Sequence, residues 1–115
     1  MRKSIIMSDS LLSKVLGESP QLRIIDFFLD NKLFDFSKKE IIEGTKMSKA
    51  TFYGVWKELE RQEIVRLSRA FGNTKLYKLN MNNLLVQGLI KVEEKLIQQA
   101  ANKTATQKRL AVAHA

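Results

Sequence analysis

The stretch from residue 37 to residue 78 constrains the fold of this 115-residue chain more than any other. It holds two short helical patterns separated by a tight turn, then two strand-like runs that meet at Gly72. Ser37 can cap the first helix, and Glu40 three residues later can reach back to the Ser37 backbone, which is a capping box. Ser48 offers the second N-cap. Helix, turn, helix and hairpin in this order predict a winged helix-turn-helix.

The second of these helices, predicted over residues 49–62, has an apolar face and a polar face. Phe52, Trp56 and Leu59 recur at helical spacing and are expected in the core. Trp56 could instead stack on a nucleic-acid base, but its spacing favours the core. The polar face points outward and carries Lys49, Ala50, Tyr53, Gly54 and Lys57.

The turn between the two helices is predicted at residues 43–47 and contains Gly44, as helix-turn-helix connections often do. Met47 is expected to fill the core beneath it. In the hairpin that follows, alternation predicts strands over residues 64–69 and 75–79 with Val65, Leu67, Tyr77 and Leu79 facing the core. Gly72 and Asn73 tolerate positive φ and are expected at the tip of a loop over residues 70–74.

Ahead of this region, Ser8 or Ser10 could cap a short helix that either packs over the domain or adds to a dimer surface. Ser19-Pro20 is a clearer helix start, because proline at the first helical position loses no hydrogen bond. That helix is predicted to end near Asn31. The alternation over residues 33–36 is compatible with a short strand beside the hairpin.

A last helix is predicted to run to about residue 101, with two adjacent apolar seams. One seam has coiled-coil spacing, and we assign it to a dimer interface: Leu85, Leu89, Val92 and Leu96. The second seam comprises Val86, Ile90 and Ile97. Because one small domain can bury one seam, the other needs a second surface. This predicts a homodimer through the helix rather than a helix folded wholly onto its own domain.

The predicted fold is therefore mostly α with a small β-hairpin, and the chain divides into four parts. Residues 1–18 form an N-terminal extension or short helix, and residues 19–80 form the winged-helix domain. Residues 81–101 form the dimerisation helix, and residues 102–115 form a tail that is frayed or disordered.

The formal net charge is +8, and residues 46–78 hold eight basic against three acidic side chains. Such a local excess attracts polyanions and supplies phosphate affinity that does not depend on sequence. The plainer interpretation, that a basic surface only keeps the protein soluble, is less favoured because the charge coincides with a motif that would use it. Double-stranded DNA is the predicted partner.

No pattern of catalytic residues stands out, and the chain contains one histidine and no cysteine. These features predict a protein that is not an enzyme and has no cofactor and no metal site. No apolar run reaches the length of about 18 residues that a membrane helix needs, so a membrane protein is not predicted. We expect a cytoplasmic, nucleoid-associated protein. The sequence gives no indication of a small-molecule effector.

The predicted DNA-binding residues lie on the helix pair and on the hairpin tip. The N-terminus of the second helix is expected in the major groove, where its open N–H groups favour a phosphate, and the hairpin is expected beside it on the backbone or minor groove. The full set is Lys38, Lys46, Ser48, Lys49, Ala50, Thr51, Tyr53, Lys57, Arg69, Asn73 and Lys75. Lysine and tyrosine side chains can position a protein on DNA, but they discriminate weakly between bases. DNA shape is therefore expected to contribute to sequence specificity.

Four segments resemble small archaeal winged-helix transcription regulators of the MarR/ArsR-type superfamily. They are residues 16–20, 24–28, 47–53 (Met-Ser-Lys-Ala-Thr-Phe-Tyr) and 58–65 (Glu-Leu-Glu-Arg-Gln-Glu-Ile-Val). The resemblance implies dimeric binding to duplex DNA, with the helix from Ser48 as recognition helix and residues 69–75 as wing. Two features depart from the family: Gly54 stands where arginine is common, and the cysteine or histidine ligands of metal-sensing members are missing.

The sequence thus predicts a homodimeric, sequence-specific DNA-binding protein that regulates transcription. Two alternatives stay open. One is an architectural or plasmid-partition protein that binds DNA with low specificity, and the other is a winged-helix module that binds other proteins. The basic excess over residues 46–78 favours DNA binding over the protein-binding module.

Overall fold

The computed structural model describes residues 11–113, including the side chains of residues 11–105. The described elements are α1 (Leu11–Leu16), α2 (Pro20–Asp30), α3 (Lys38–Thr45), α4 (Lys49–Arg61), β1 (Val65–Phe71), β2 (Thr74–Leu79) and α5 (Leu84–Ala113). They form a mostly helical fold with one antiparallel hairpin, which is compatible with the predicted winged helix. Ser8, Ser10 and the single histidine of the chain, His114, lie outside the described residues.

Local capping bonds start three of the helices where the sequence predicts them. The Oγ atoms of Ser19 and Ser48 each accept a backbone N–H from three residues along, at 3.0 and 3.1 Å. At α3, Ser37 Oγ accepts from the Glu40 N–H, and the Ser37 N–H donates to Glu40 Oε1 at 2.9 Å. The capping box is therefore confirmed. Each such cap contributes about 1 kcal/mol.

The core lies between α2, α4 and the hairpin and is rich in aromatic rings. Phe27, Phe28 and Phe36 pack edge to face, the closest pair being Phe27 and Phe36 with ring centroids 4.6 Å apart. Trp56 stacks on Phe52 at 5.0 Å. The residues predicted to point inward from the helix pair are buried as expected: Met47, Phe52, Trp56 and Leu59.

The turn between α3 and α4 is shorter than predicted, and Gly44 has a different role. Helix α3 continues through Thr45, and the chain reverses at Lys46, which has a left-handed φ of 58°. Gly44 is inside the helix and buried, where a Cβ would overlap the ring of Phe27. Glycine is needed here because α2 and α3 approach closely, not because the chain turns.

The hairpin is longer than predicted, and one residue expected in its core face is left uncovered. The strands reach Phe71 and Thr74, which leaves Gly72 and Asn73 as a two-residue turn; Gly72 has a φ of 59°. Leu67, expected in the core, is 47% exposed. Strand β2 lies between β1 and the body of the domain, so β1 is the outer strand and little covers it beyond Val65.

A single antiparallel bridge replaces the short strand considered for residues 33–36. The N–H of Phe36 donates to the Tyr77 carbonyl at 2.9 Å, and the N–H of Tyr77 donates to the Phe36 carbonyl at 2.8 Å. These two bonds join the segment just before α3 to the middle of β2. They fix the hairpin relative to the helix pair.

Helix α5 extends beyond its predicted end and divides the first predicted seam. It continues to Ala113, so much of the predicted tail lies on this helix. Leu89 and Leu96 pack against the core of their own domain, whereas Leu85 and Val92 are 54% and 42% exposed. Half of the seam assigned to a dimer therefore already has an intramolecular partner.

Among the described residues, no helix is both long and apolar enough to cross a membrane.

Carboxyl groups from α2 and α5 converge where α5 meets the body. Asp26 is fully buried, and its Oδ2 accepts from Ser13 Oγ of α1 at 2.9 Å. Burial raises the pKa of Glu93, and the negative charges of Asp30, Asp26 and Glu94 raise it further, while Lys32 opposes them. Burial and the charge of Asp26 also raise the pKa of Asp30.

This cluster is expected to contribute stability at low pH that is lost as the pH rises. Because the Glu93 pKa is higher in the folded state than in the unfolded chain, folding favours the protonated form, and stability is lost as pH rises from the ordinary pKa through the raised one. Glu93→Gln is therefore expected to reduce the loss of unfolding free energy as the pH rises above the ordinary glutamate pKa of about 4.3, measured by urea denaturation at a series of pH values. Glu43→Gln, at an exposed position of α3, is the control. Equal slopes for wild type and Glu93→Gln would contradict this assignment.

Candidate nucleic-acid interface

The first turns of α4 present an exposed surface. Ser48, at the N-cap, and Lys49, Ala50, Thr51, Tyr53 and Lys57 are all exposed, with Tyr53 at 50%. Ser48 also donates from its Oγ to Thr51 Oγ1 at 2.9 Å. The outward orientation predicted for Lys49, Ala50, Tyr53, Gly54 and Lys57 is confirmed. Trp56, in contrast, is buried and cannot stack on a base from this position.

Lys38 at the start of α3 connects this surface to the hairpin. Its Nζ lies 5.7 Å from the ring centroid of Tyr53, 6.0 Å from that of Trp56 and 5.6 Å from that of Tyr77. An ammonium within about 6 Å of an aromatic face is attracted to the ring. The three rings hold the half-buried Lys38 between α4 and β2.

A concave surface that encloses a volume of about 370 Å³ extends from Lys38 to the tip of the hairpin. Its lining residues are Ser37, Lys38, Asn73, Thr74, Lys75 and Tyr77. Two of them are cations, and no carboxylate lines the surface. The structure thus brings Lys38 together with Asn73 and Lys75, and Lys38 brings Tyr53 to the edge of the same surface.

Arg69 is placed differently from the other predicted contacts. Its Nε and one terminal nitrogen donate to the two carboxylate oxygens of Asp35, at 2.9 and 3.3 Å. The hydrogen bond from Arg69 lowers the pKa of Asp35. The guanidinium also lies 5.9 Å from the ring centroid of Phe71. The charge of Arg69 is therefore partly compensated, and the pair ties the hairpin to the loop before α3; a DNA contact by Arg69 stays a prediction.

Lys46 occupies the turn directly before α4 and is exposed. Its backbone N–H caps α3 by donating to the Glu43 carbonyl at 3.3 Å. The Lys46 side chain is therefore located in the turn between α3 and α4, near the open N-terminus of α4. A cation here adds to the positive end of the helix dipole.

Two positioning residues were not predicted. Arg23 of α2 donates from its guanidinium to the Thr45 carbonyl, which anchors the end of α3 and the turn into α4. Asp35 holds the hairpin through Arg69. The partners are 22 and 34 residues apart in sequence, so no local pattern could indicate either contact.

Among the described residues, no three His, Cys, Asp or Glu side chains are grouped as a metal site would require.

Comparison with models of known protein families gives no match, and neither does comparison with curated proteins. Among solved structures, the chain is similar to a protein of Methanosarcina mazei Go1 described as a "possible transcriptional regulator", with a TM-score of 0.50 and 16% identity. The alignment covers 86% of this chain and 83% of that chain. At this identity the likeness shows a shared fold alone. The narrower resemblance to MarR/ArsR-type regulators stays a prediction.

Proposed function

We propose that this protein binds double-stranded DNA as a homodimer, in a sequence-specific manner, and regulates transcription in the cytoplasm. Helix α4 is the recognition helix, and the hairpin β1–β2 is the wing. One observation carries the proposal: Lys38 lies beside the exposed Tyr53 of α4 and also lines the concave surface that reaches the wing tip. The fold shared with the Methanosarcina mazei protein supports a regulator in general.

The chemistry of this surface suits a duplex. A helix fits the major groove of B-DNA, and the open N–H groups at its N-terminus favour a phosphate oxygen. Lys49 and Lys57 flank the outward face of α4, and Lys38 and Lys75 extend the positive charge to the wing. In the proposed complex, α4 enters the groove while Asn73 and Lys75 contact the adjoining backbone.

A binding series in increasing salt tests this function. The intact protein is titrated into a fluorescent random-sequence duplex and into duplexes selected from a random pool, and anisotropy is recorded at each salt concentration. A regulator is expected to bind selected duplexes at least about 1,000-fold more tightly than random ones, with affinity falling as salt rises. Equal affinity for all duplexes would indicate an architectural protein. Absence of binding at low salt would favour a protein-interaction module.

The dimer is proposed to form through the exposed residues of α5. Leu85 and Val92 remain uncovered by their own domain, so they are the part of the predicted seam that a second copy would bury. Val92→Glu is expected to convert dimers to monomers in light scattering, because it places a charge in an apolar contact. Lys91→Glu, at an exposed neighbouring position, is the control. Leu89→Glu is a poorer test, since Leu89 packs against the domain core. A Val92→Glu protein that stays dimeric would contradict this interface.

A further inference from the structure

We infer that α4 recognises thymine through its 5-methyl group, so that the preferred duplexes are A·T-rich beneath the recognition helix. The inference rests on the proposed function and names the class of sequence that this surface reads. It is carried by the side chains that α4 presents and by those that it lacks.

The outward face lacks the side chains that read bases through paired hydrogen bonds. Arginine reads guanine in this way, and asparagine or glutamine reads adenine. Residues 49–57 contain none of the three. Arg61 is one turn further along, and its guanidinium is paired with Glu58 at 2.8 Å. Lys49 and Lys57 supply charge, but a flexible ammonium is a point charge that suits phosphates better than base edges.

The same face offers apolar groups. Ala50 is exposed and carries a methyl group at the N-terminal end of the helix. Thr51, the next residue, is also exposed and carries a methyl group beside the hydroxyl that accepts a hydrogen bond from Ser48 Oγ. In the major groove, alanine and threonine methyl groups contact the 5-methyl of thymine, which cytosine lacks.

Gly54 makes this contact sterically accessible. It is exposed, one helical turn after Ala50, and a Cβ there would meet no atom within 4 Å. The internal packing of the protein therefore does not require a glycine at this position. Its absent side chain leaves a shallow helix face, which lets the methyl groups of Ala50 and Thr51 approach the floor of the groove. Methyl contacts form only within about 4.5 Å, so this close approach is needed.

Synthetic duplexes that differ by one methyl group per base pair test the inference. Labelled duplexes of about 20 base pairs, long enough for two half-sites, are made from alternating dA-dT and from alternating dA-dU. A second pair uses alternating dG-dC and the same duplex with 5-methylcytosine. Each removed methyl contact is expected to weaken binding about fourfold. Methylation of cytosine is expected to strengthen binding. The salt slope should stay constant, because the phosphates do not change.

Matched variants separate methyl contacts from effects on duplex shape. Thr51→Ser keeps the hydroxyl and removes the methyl, and Ala50→Gly removes the other methyl. Each variant is expected to reduce the preference for dT over dU. Lys57→Ser removes the cation without adding a side chain that discriminates between bases, and it is expected to weaken binding to all four duplexes equally. Circular dichroism of each variant is the check that it is folded.

The outcomes distinguish this inference from the function on which it rests. Equal affinity of the wild type for the dT and dU duplexes overturns the thymine contact and leaves DNA binding intact. A dT preference that persists unchanged in both Ala50→Gly and Thr51→Ser also overturns it. Absence of binding to all four duplexes at low salt overturns the proposed function, and the inference with it.

Discussion

Replacement of Gly44 by alanine is expected to destabilise the domain by about 2 kcal/mol, which lowers the melting temperature by about 10 °C. The added methyl would overlap the ring of Phe27, which is fully buried and packed edge to face against Phe28 and Phe36. Because the ring is buried and held between Phe28 and Phe36, we expect the overlap to push α2 and α3 apart. The cost exceeds the gain in helix propensity that alanine brings.

Gly88→Ala is the matched control for this prediction. Gly88 also lies within a helix, but a Cβ there would meet no atom within 4 Å. Alanine at this position is expected to stabilise the protein by up to about 1 kcal/mol, because only the helix propensity changes. Thermal unfolding followed by circular dichroism measures both variants. A Gly44→Ala protein as stable as Gly88→Ala would show that α2 and α3 are not in the close contact described.

The double variant Lys49→Ala/Tyr53→Ala is expected to weaken binding to a selected duplex about 10- to 100-fold at low salt. Lys49 would lose a phosphate contact at the N-terminus of α4, and the salt slope should fall by about one. Replacement of Tyr53 would remove its proposed DNA contact and also one of the three rings around Lys38. Both side chains are exposed, so the unfolding transition should change little.

Lys14→Ala is the control for this variant, because it removes an exposed cation from α1 rather than from the proposed interface. It is expected to leave affinity within about twofold of the wild type. Fluorescence anisotropy with the same duplex compares the three proteins. Equal affinity of wild type and double variant would exclude the N-terminal face of α4 as the DNA-binding surface.

The features that could be predicted from the sequence are those fixed by nearby residues. Ser37 and Glu40 are three positions apart, and their reciprocal bonds depend on the local backbone alone. Phe52 and Trp56 share a helix face because of helical periodicity, and both are buried. The exposure of Lys49 and Tyr53 follows from the same periodicity. These local rules predicted the helix pair and the outward orientation of the candidate interface.

The features that could not be predicted depend on contacts between distant segments. Gly44 resembles a turn residue in sequence, and only the position of Phe27 shows that it is a packing residue. Leu67 follows the alternation of a buried strand, but β1 is the outer strand, so the core does not reach it. The pairing of Arg69 with Asp35 likewise requires the folded hairpin.

The backbone bridge between Phe36 and Tyr77 has a consequence for how a duplex would be engaged. It joins the middle of β2 in the wing to the segment directly before α3 through two backbone hydrogen bonds. We therefore expect the distance between the two proposed contact points, the wing and the recognition helix α4, to change little when DNA binds. A double helix of mismatched curvature would have to bend to fit, and the elastic work would vary with the stiffness of its base-pair steps. Sequence preference would then arise partly at base pairs that no side chain touches.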